Sequence, residues 1–234
     1  MEIWRGTSDG AYCRYEVPRR ESQTVLDVVT WVQRNLEPTL AYRFACRVGV
    51  CGSCAMTVNG RPRWTCRTRI DAVAADRPLR LGPLENLPVI RDLVTDMKPF
   101  FEKWQKAEGR FSGAAAVSDG LAKISPASRQ RAAADASIEC INCGVCYAAC
   151  DVVGRKPGYL GPAALNRAWA GYNDVRDAAG RRFLDAVSRL GGCHSCHSQQ
   201  SCSEHCPVGL DPSAAIAALK RESVIGLLRR HDKQ

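Results

Sequence analysis

Thirteen cysteines in a chain of 234 residues limit what it can fold into more than any other feature. Eleven of them fall in three runs: "CRVGVCGSCAMTVNGRPRWTC" at residues 46–66, "CINCGVCYAAC" at 140–150 and "CHSQQSCSEHC" at 196–206. An odd total cannot pair completely into disulfides. The opening "MEIWRGTSDGAYCRYE" lacks the apolar core of a secretory signal. No run approaches the ~20 apolar residues that span a bilayer. These features place the chain in a reducing, cytosolic compartment, where clustered thiols hold metal rather than one another.

In the first run, C-x4-C-x2-C followed by a distant fourth cysteine is the plant-type spacing for a [2Fe–2S] cluster, with Cys46, Cys51, Cys54 and Cys66 as ligands. Gly49 and Gly52 let the backbone wrap closely around a cluster and aim N–H groups at sulfur. The pair Asn59-Gly60 is a two-residue hairpin signal; it turns the chain back so that Cys66 can rejoin the other three. Zinc is the competing occupant of a four-cysteine group. Structural zinc sites usually repeat C-x2-C, however, and this run does not.

The second run reads C-x2-C-x2-C-x3-C, the spacing of bacterial ferredoxins, in which the fourth cysteine ligates the other of two clusters. The third run keeps that spacing and the trailing Pro207, but has Gln199 in the second ligand position. The sharing rule assigns Cys140, Cys143, Cys146 and Cys206 to a [4Fe–4S] cluster. It assigns Cys150, Cys196 and Cys202 to a second cluster with one corner lacking a thiolate. An iron without a protein thiolate is easily lost, so the expected cluster there is [3Fe–4S], less negative and easier to reduce than a typical [4Fe–4S]. Three clusters at different potentials read as a wire for single electrons. Cys13 and Cys193 remain. Cys13 reads as an ordinary small apolar residue. Cys193, three residues before Cys196, is an alternative ligand for the open corner. His194 and His197 read as surface or supporting residues rather than iron ligands.

The rest of the chain is that of an ordinary globular protein, 45 % hydrophobic and 24 % charged, long enough for one large domain or two small ones. The net charge of +9 is spread evenly over both halves. Arg43, Arg47, Arg61, Arg63, Arg67 and Arg69 occur with no acid between Arg43 and Ile70. They form a solvated face, a docking patch or a counter-charge to an anionic cofactor. A zinc-stabilised nucleic-acid module is disfavoured, because Trp64 is the lone aromatic between Arg61 and Arg69 and no stacking platform forms. Residues 1–70 mix strand-like pieces with a helix over "TVLDVVTWVQRNL", capped by Thr24. The stretch "PVIRDLVTDMKPFFEKWQKAEG", 88–109, is predicted helical from its proline onward, and "RFSGAAAVSDGLAKISPAS" is predicted to be a linker. From Ala127 onward the pattern is helical. The boundary falls near residue 100, giving domains 1–100 and 101–234. At the C-terminus, Ile216, Leu219, Val224, Leu227 and Leu228 form an apolar stripe, with Lys220, Arg221, Arg229 and Arg230 elsewhere. It reads first as a helix packed on its own domain, and second as a surface for a membrane anchor or anionic lipid.

Taken with "LENLPVIRDLVTDM", "GYLGPAAL" and "CHSQQSCSEHCPVGLDPSAAI", the three runs resemble, in order and across nearly the whole chain, the iron–sulfur subunit of the succinate dehydrogenase/fumarate reductase family. That resemblance implies an α+β fold: a β-grasp [2Fe–2S] ferredoxin-like domain followed by an all-α bacterial-ferredoxin-like domain. It implies a respiratory electron-transfer subunit at the cytoplasmic face of the inner membrane. Its partners would be a flavoprotein carrying FAD and a membrane anchor where quinone binds, and nucleic acid would not be among them. By the same resemblance the catalytic residues lie on the flavoprotein, and His197 lies nearest quinone. The chain departs from the family at Asp151, where a proline is usual, and at Arg155, where one branch has tryptophan. These departures leave open an alternative: the iron–sulfur subunit of a different flavin-dependent oxidoreductase with another substrate or acceptor.

Overall fold

In the computed structural model the described residues are 1–74, 77–113, 120, 123–178 and 180–231, the last three by backbone alone. They divide into two compact units, Met1–Pro99 with Ile141–Ala149, and Phe100–Cys140 with Cys150–Gln234.

The first unit opens with β1 (Glu2–Arg5) and β2 (Ala11–Arg14), paired antiparallel. Helix α1 (Val25–Asn35) follows. Its start is dictated locally. Thr24 accepts the Asp27 N–H while the Asp27 carboxylate accepts the Thr24 N–H, a reciprocal capping box. Val25, Val28, Val29 and Val32 recur at helical spacing and are all buried. Strands β3 (Ala55–Val58) and β4 (Arg61–Trp64) form the expected hairpin, with Asn59 at φ +50° and Gly60 at φ +78° in its two-residue turn. A 3-10 turn (Thr65–Arg67), α2 (Ile70–Val73) and β5 (Arg80–Gly82) complete a mixed five-stranded sheet of order β2-β1-β5-β3-β4, in which β1 and β5 run parallel. Helix α1 packs on this sheet through a core including Ile3, Met56, Val58 and Leu81, the β-grasp arrangement.

Residues 88–109 depart from the helix expected there. Val89–Arg91 (β6) and Val94–Thr95 (β7) form a small hairpin, and only Lys98–Lys106 (α3) is helical. The cause lies far away in sequence. Asp92, at φ +51° and 1 % exposed, accepts N–H bonds from Gly6 and Ala41 and pairs with Arg5 at 3.1 Å. These donors pin a turn where helical periodicity would have continued.

The second unit is helical, as the pattern beyond Ala127 predicted. Helix α4 (Arg129–Ile138) is capped by the Ser128 hydroxyl. The chain then contributes α5 (Val145–Ala148) to the first unit before continuing with α6 (Asp151–Arg155), α7 (Pro162–Asn173), α8 (Gly180–Val187), α9 (Ser201–Glu204) and α10 (Pro212–His231). Helix α7 is the centre, packed by α4, α8 and α10. Its buried face is built of Ala163, Ala164, Leu165, Ala168 and Gly171, small enough for close approach. A Cβ on Gly171 would fall 2.3 Å from Cζ of Phe183. Of the C-terminal stripe, Ile216 and Leu219 are buried in this unit, whereas Val224, Leu227 and Leu228 are exposed. The side chains of Arg229 and Arg230, and residues 114–119, 121 and 122 of the expected linker, lie outside the described residues.

Candidate metal centres

In the first unit, residues 46–54 wrap into a loop that uses positive φ at Arg47 (+59°), Gly49 (+76°) and Gly52 (+70°). This curl turns successive amides inward. The N–H groups of Val50 and Cys51 each donate to Cys46 Sγ at 3.3 Å, and the Cys46 N–H reaches Cys51 Sγ at 3.5 Å. The Cys66 N–H donates to Cys54 Sγ at 3.5 Å. Thr65, which precedes Cys66, anchors the return strand by donating through Oγ1 to Cys54 O at 2.8 Å. The four thiols therefore stand as two contacting pairs, 46/51 and 54/66, as a two-iron centre requires. The pairs differ in surroundings. Amides of Val48, Val50 and Cys51 bring the Cys46 thiol down to about 6. Burial, then the neighbouring Cys54 thiol, pushes Cys66 up to about 11. Cys54 and Cys66 pack against Leu26, while Cys46 and Cys51 are half-buried. Amides favour the thiolate of Cys46, whereas burial disfavours that of Cys66.

Gly52 also fixes the neighbour of this loop. A Cβ there would fall 2.5 Å from Cβ of Cys143 and 2.8 Å from its Cα. The segment carrying Cys143 and Cys146 curls through Asn142 (φ +53°) and Gly144 (φ +78°) into α5. The end of α5 is held by Asn86, whose amide donates to the carbonyls of Tyr147 and Ala148 at 3.2 and 3.1 Å. Cys140 and Cys206, the other two members of that ligand set, belong to the second unit, each half-buried at the end of a helix.

Within the second unit, Cys150 caps α6, Cys202 lies in α9, and Cys196 ends the 3-10 turn Cys193–Ser195. Distant in sequence, the three thiols are neighbours in the fold. Burial pushes the Cys150 thiol up, with the Cys196 charge adding to it. Burial pushes Cys202 up to about 11, with both Cys150 and Cys196 contributing. The Ser198 N–H donates to Cys196 Sγ at 3.3 Å. Gln199, the residue in place of a fourth thiol, is exposed, between Ser198 and Gln200, both in left-handed backbone. Cys193 is fully buried and its thiol hydrogen-bonds Ser223 of α10. The donor set, one buried and two half-buried thiols, two of them pushed up by burial, fits an iron–sulfur cluster with three protein ligands.

Residues 1–102 match the family described as the 2Fe-2S iron-sulfur cluster binding domain, and residues 136–210 match the 4Fe-4S dicluster domain. The fumarate reductase iron-sulfur subunit of Escherichia coli O6:H1 is 37 % identical over 210 residues, covering 89 % of this chain and 84 % of that protein. This chain belongs to the iron–sulfur subunit family of fumarate reductases and succinate dehydrogenases. Within that family, the fumarate reductase iron-sulfur subunit of Mycobacterium tuberculosis is 37 % identical over 218 residues, covering 92 % of this chain and 87 % of the relative. A chain of the Mycobacterium smegmatis Sdh1 complex in the apo form superposes with a TM-score of 0.81 at 28 % identity, covering 95 % of this chain and 93 % of that one. Members of this family are subunits of oxidoreductase complexes, and the matches to 2Fe-2S and 4Fe-4S domains fall on the cysteine runs.

Sequence reasoning missed one residue of this family member's three-thiol site. Tyr159, 1 % exposed, hydrogen-bonds the Cys196 sulfur, and burial together with the nearby thiols raises its own hydroxyl well above the usual range. Its only sequence signal was a large polar aromatic in "GYLGP", just before a proline-started helix. The remaining residues singled out in the sequence are placed as follows. Cys13, read as an ordinary small apolar residue, is exposed on edge strand β2. The six arginines disperse: Arg43 donates to Thr95 O, Arg69 pairs with Asp71, and Arg47 stacks over Phe44 at 4.5 Å. His197 is exposed, with Nε2 3.4 Å from Lys156 Nζ, and His194 Nε2 lies 2.7 Å from Ser223 Oγ.

Proposed function

We propose that this chain is the electron-transfer subunit of a membrane-associated succinate dehydrogenase/fumarate reductase, relaying single electrons between the FAD of a flavoprotein partner and quinone at a membrane anchor. The proposed ligands are Cys46, Cys51, Cys54 and Cys66 for [2Fe–2S]; Cys140, Cys143, Cys146 and Cys206 for [4Fe–4S]; and Cys150, Cys196 and Cys202 for [3Fe–4S]. When bound, such clusters each take up and release one electron at a potential set by charge, burial and hydrogen bonds to sulfur. The observation that carries this reading is the three-thiol site, because three neighbouring thiols, Cys202 buried and Cys150 and Cys196 half-buried, beside an exposed Gln199 match a cluster short of one iron.

The chain's own residues supply the tuning. Amides of Val50 and Cys51 stabilise negative charge on Cys46, and the Tyr159 hydroxyl does so for Cys196. Donors of this kind favour the reduced, more negative state and raise the potential. Exposed His197 beside Lys156 is the proposed quinone-proximal group. In keeping with a peripheral subunit attached through its anchor, none of the described helices is long and apolar enough to cross a membrane. Residues 1–100 and 101–234 are the two proposed cluster-bearing domains.

Electron paramagnetic resonance of the air-oxidised and then reduced protein tests the assignment. An oxidised-state [3Fe–4S] signal with a [2Fe–2S] signal appearing on reduction is expected. An oxidised sample without three-iron signal, holding about ten irons per chain, would overturn the three-thiolate reading.

A further inference from the structure

Between α8 and α10 lies a groove of about 400 Å³ that none of the cluster chemistry uses. The size is at the lower end of ligand sites. Two guanidinium groups line it, Arg181 and Arg189, and among the described residues neither has a hydrogen-bond or ion-pair partner. Asp185, the one acidic side chain on the lining, has a partner of its own. Ser188 spends its hydroxyl proton on Leu184 O at 2.7 Å, leaving its oxygen facing the groove as an acceptor only.

Gly226 forms the floor. It sits inside a 20-residue helix, where glycine costs about 1 kcal/mol relative to alanine. Packing does not demand that glycine. A Cβ there would meet only Leu184 Cδ2 at 3.6 Å and Arg181 Nη2 at 3.8 Å, both ordinary contact distances. What the missing side chain provides is room beside the Arg181 guanidinium. Leu184 and Leu227 give the lining an apolar side, and Leu227 is 62 % exposed to solvent. Unpaired arginines beside a solvent-exposed leucine match an amphiphile with an anionic head, not a wholly soluble anion.

We propose that this groove binds the phosphodiester headgroup of an anionic phospholipid, with Arg181 and Arg189 on the phosphate and Leu227 against the start of its acyl chains. The chain would thus hold lipid through its own surface, independently of the cluster assignment and of any anchor subunit.

Flotation of the full chain with phosphatidylcholine vesicles containing phosphatidylglycerol, against phosphatidylcholine alone, reads this directly. The wild type is expected to float with the anionic vesicles only. Arg181→Gln with Arg189→Gln should weaken partitioning about twenty-fold or more, near five-fold per arginine. Gly226→Val, which fills the floor at unchanged charge, should also weaken it several-fold. Circular dichroism and visible absorption should stay those of the wild type in both. Arg20→Gln with Arg34→Gln, an equal charge loss far along the sequence, should leave partitioning within about two-fold. An equal loss in that control, or no loss in Gly226→Val, overturns the groove as a site. Displacement of the chain from vesicles by sn-glycerol 3-phosphate at constant ionic strength overturns the lipid as its occupant in favour of a soluble phosphate ester.

Discussion

Gly52 and Cys143 touch backbone to backbone: a methyl group on Gly52 would overlap the Cβ of Cys143 at 2.5 Å. Two cysteine loops 91 positions apart thus meet where one residue has no side chain. Gly52 also holds φ +70°, which costs an L-residue about 1–2 kcal/mol. Gly52→Ala is therefore expected to destabilise the first unit by roughly 2–4 kcal/mol, strain and overlap together. Denaturant titration followed by visible absorption checks this; a midpoint equal to the wild type would mean that the loops slide apart freely.

Tyr159→Phe removes a buried donor from the Cys196 sulfur while keeping the ring. The reduced state loses more than the oxidised state, so the potential of the three-cysteine centre should fall. A bond stronger by ~1.4 kcal/mol in the reduced state corresponds to about 60 mV for one electron. A redox titration followed by electron paramagnetic resonance measures it. An unchanged potential in a folded variant would make Tyr159 a packing residue alone.

Asp92→Asn addresses the pinned turn. Burial alone would raise the Asp92 carboxyl, but the amides of Ala41 and Gly6 and the Arg5 guanidinium outweigh it and hold the group below the usual carboxylate range. A depressed native value contributes stability that is present above the unfolded pKa, ~3.9, and lost as pH falls through the native value. The variant should cost about 3 kcal/mol at neutral pH, and the gap to wild type should narrow below about pH 4. A gap constant across that range in parallel denaturation curves would contradict the assignment.

Gln199→Cys supplies a thiol at the corner proposed to lack one. Iron per chain should rise from about nine to about ten, with loss of the oxidised three-iron signal. Iron analysis on the folded variant decides it; no gain would mean that the left-handed residues Ser198 and Gln200 hold position 199 away from the cluster.

What sequence conveyed here was what neighbours in sequence decide. Thr24 and Asp27 close a cap within one turn, Asn59-Gly60 makes its own hairpin, and cysteine spacing carries the ligand pattern. What it hid depends on partners far along the chain. The β6–β7 hairpin exists because Gly6 and Ala41 donate to Asp92, and helical periodicity in 88–109 contains no trace of them. Tyr159 matters through Cys196, 37 positions on. The arginine run looked like one field in sequence, but alternate strand faces and separate partners break it up.

The first compact unit draws on residues from two stretches, Met1–Pro99 and Ile141–Ala149. On the ribosome that unit cannot close when its sheet is finished. It waits for about fifty further residues, roughly 3–10 s at ordinary synthesis rates. During that interval Gly52 faces no Cys143, and the loop of Cys46, Cys51 and Cys54 stands open on one side. The order of synthesis thus leaves this cysteine loop uncovered on one side until the segment carrying Cys143 has emerged.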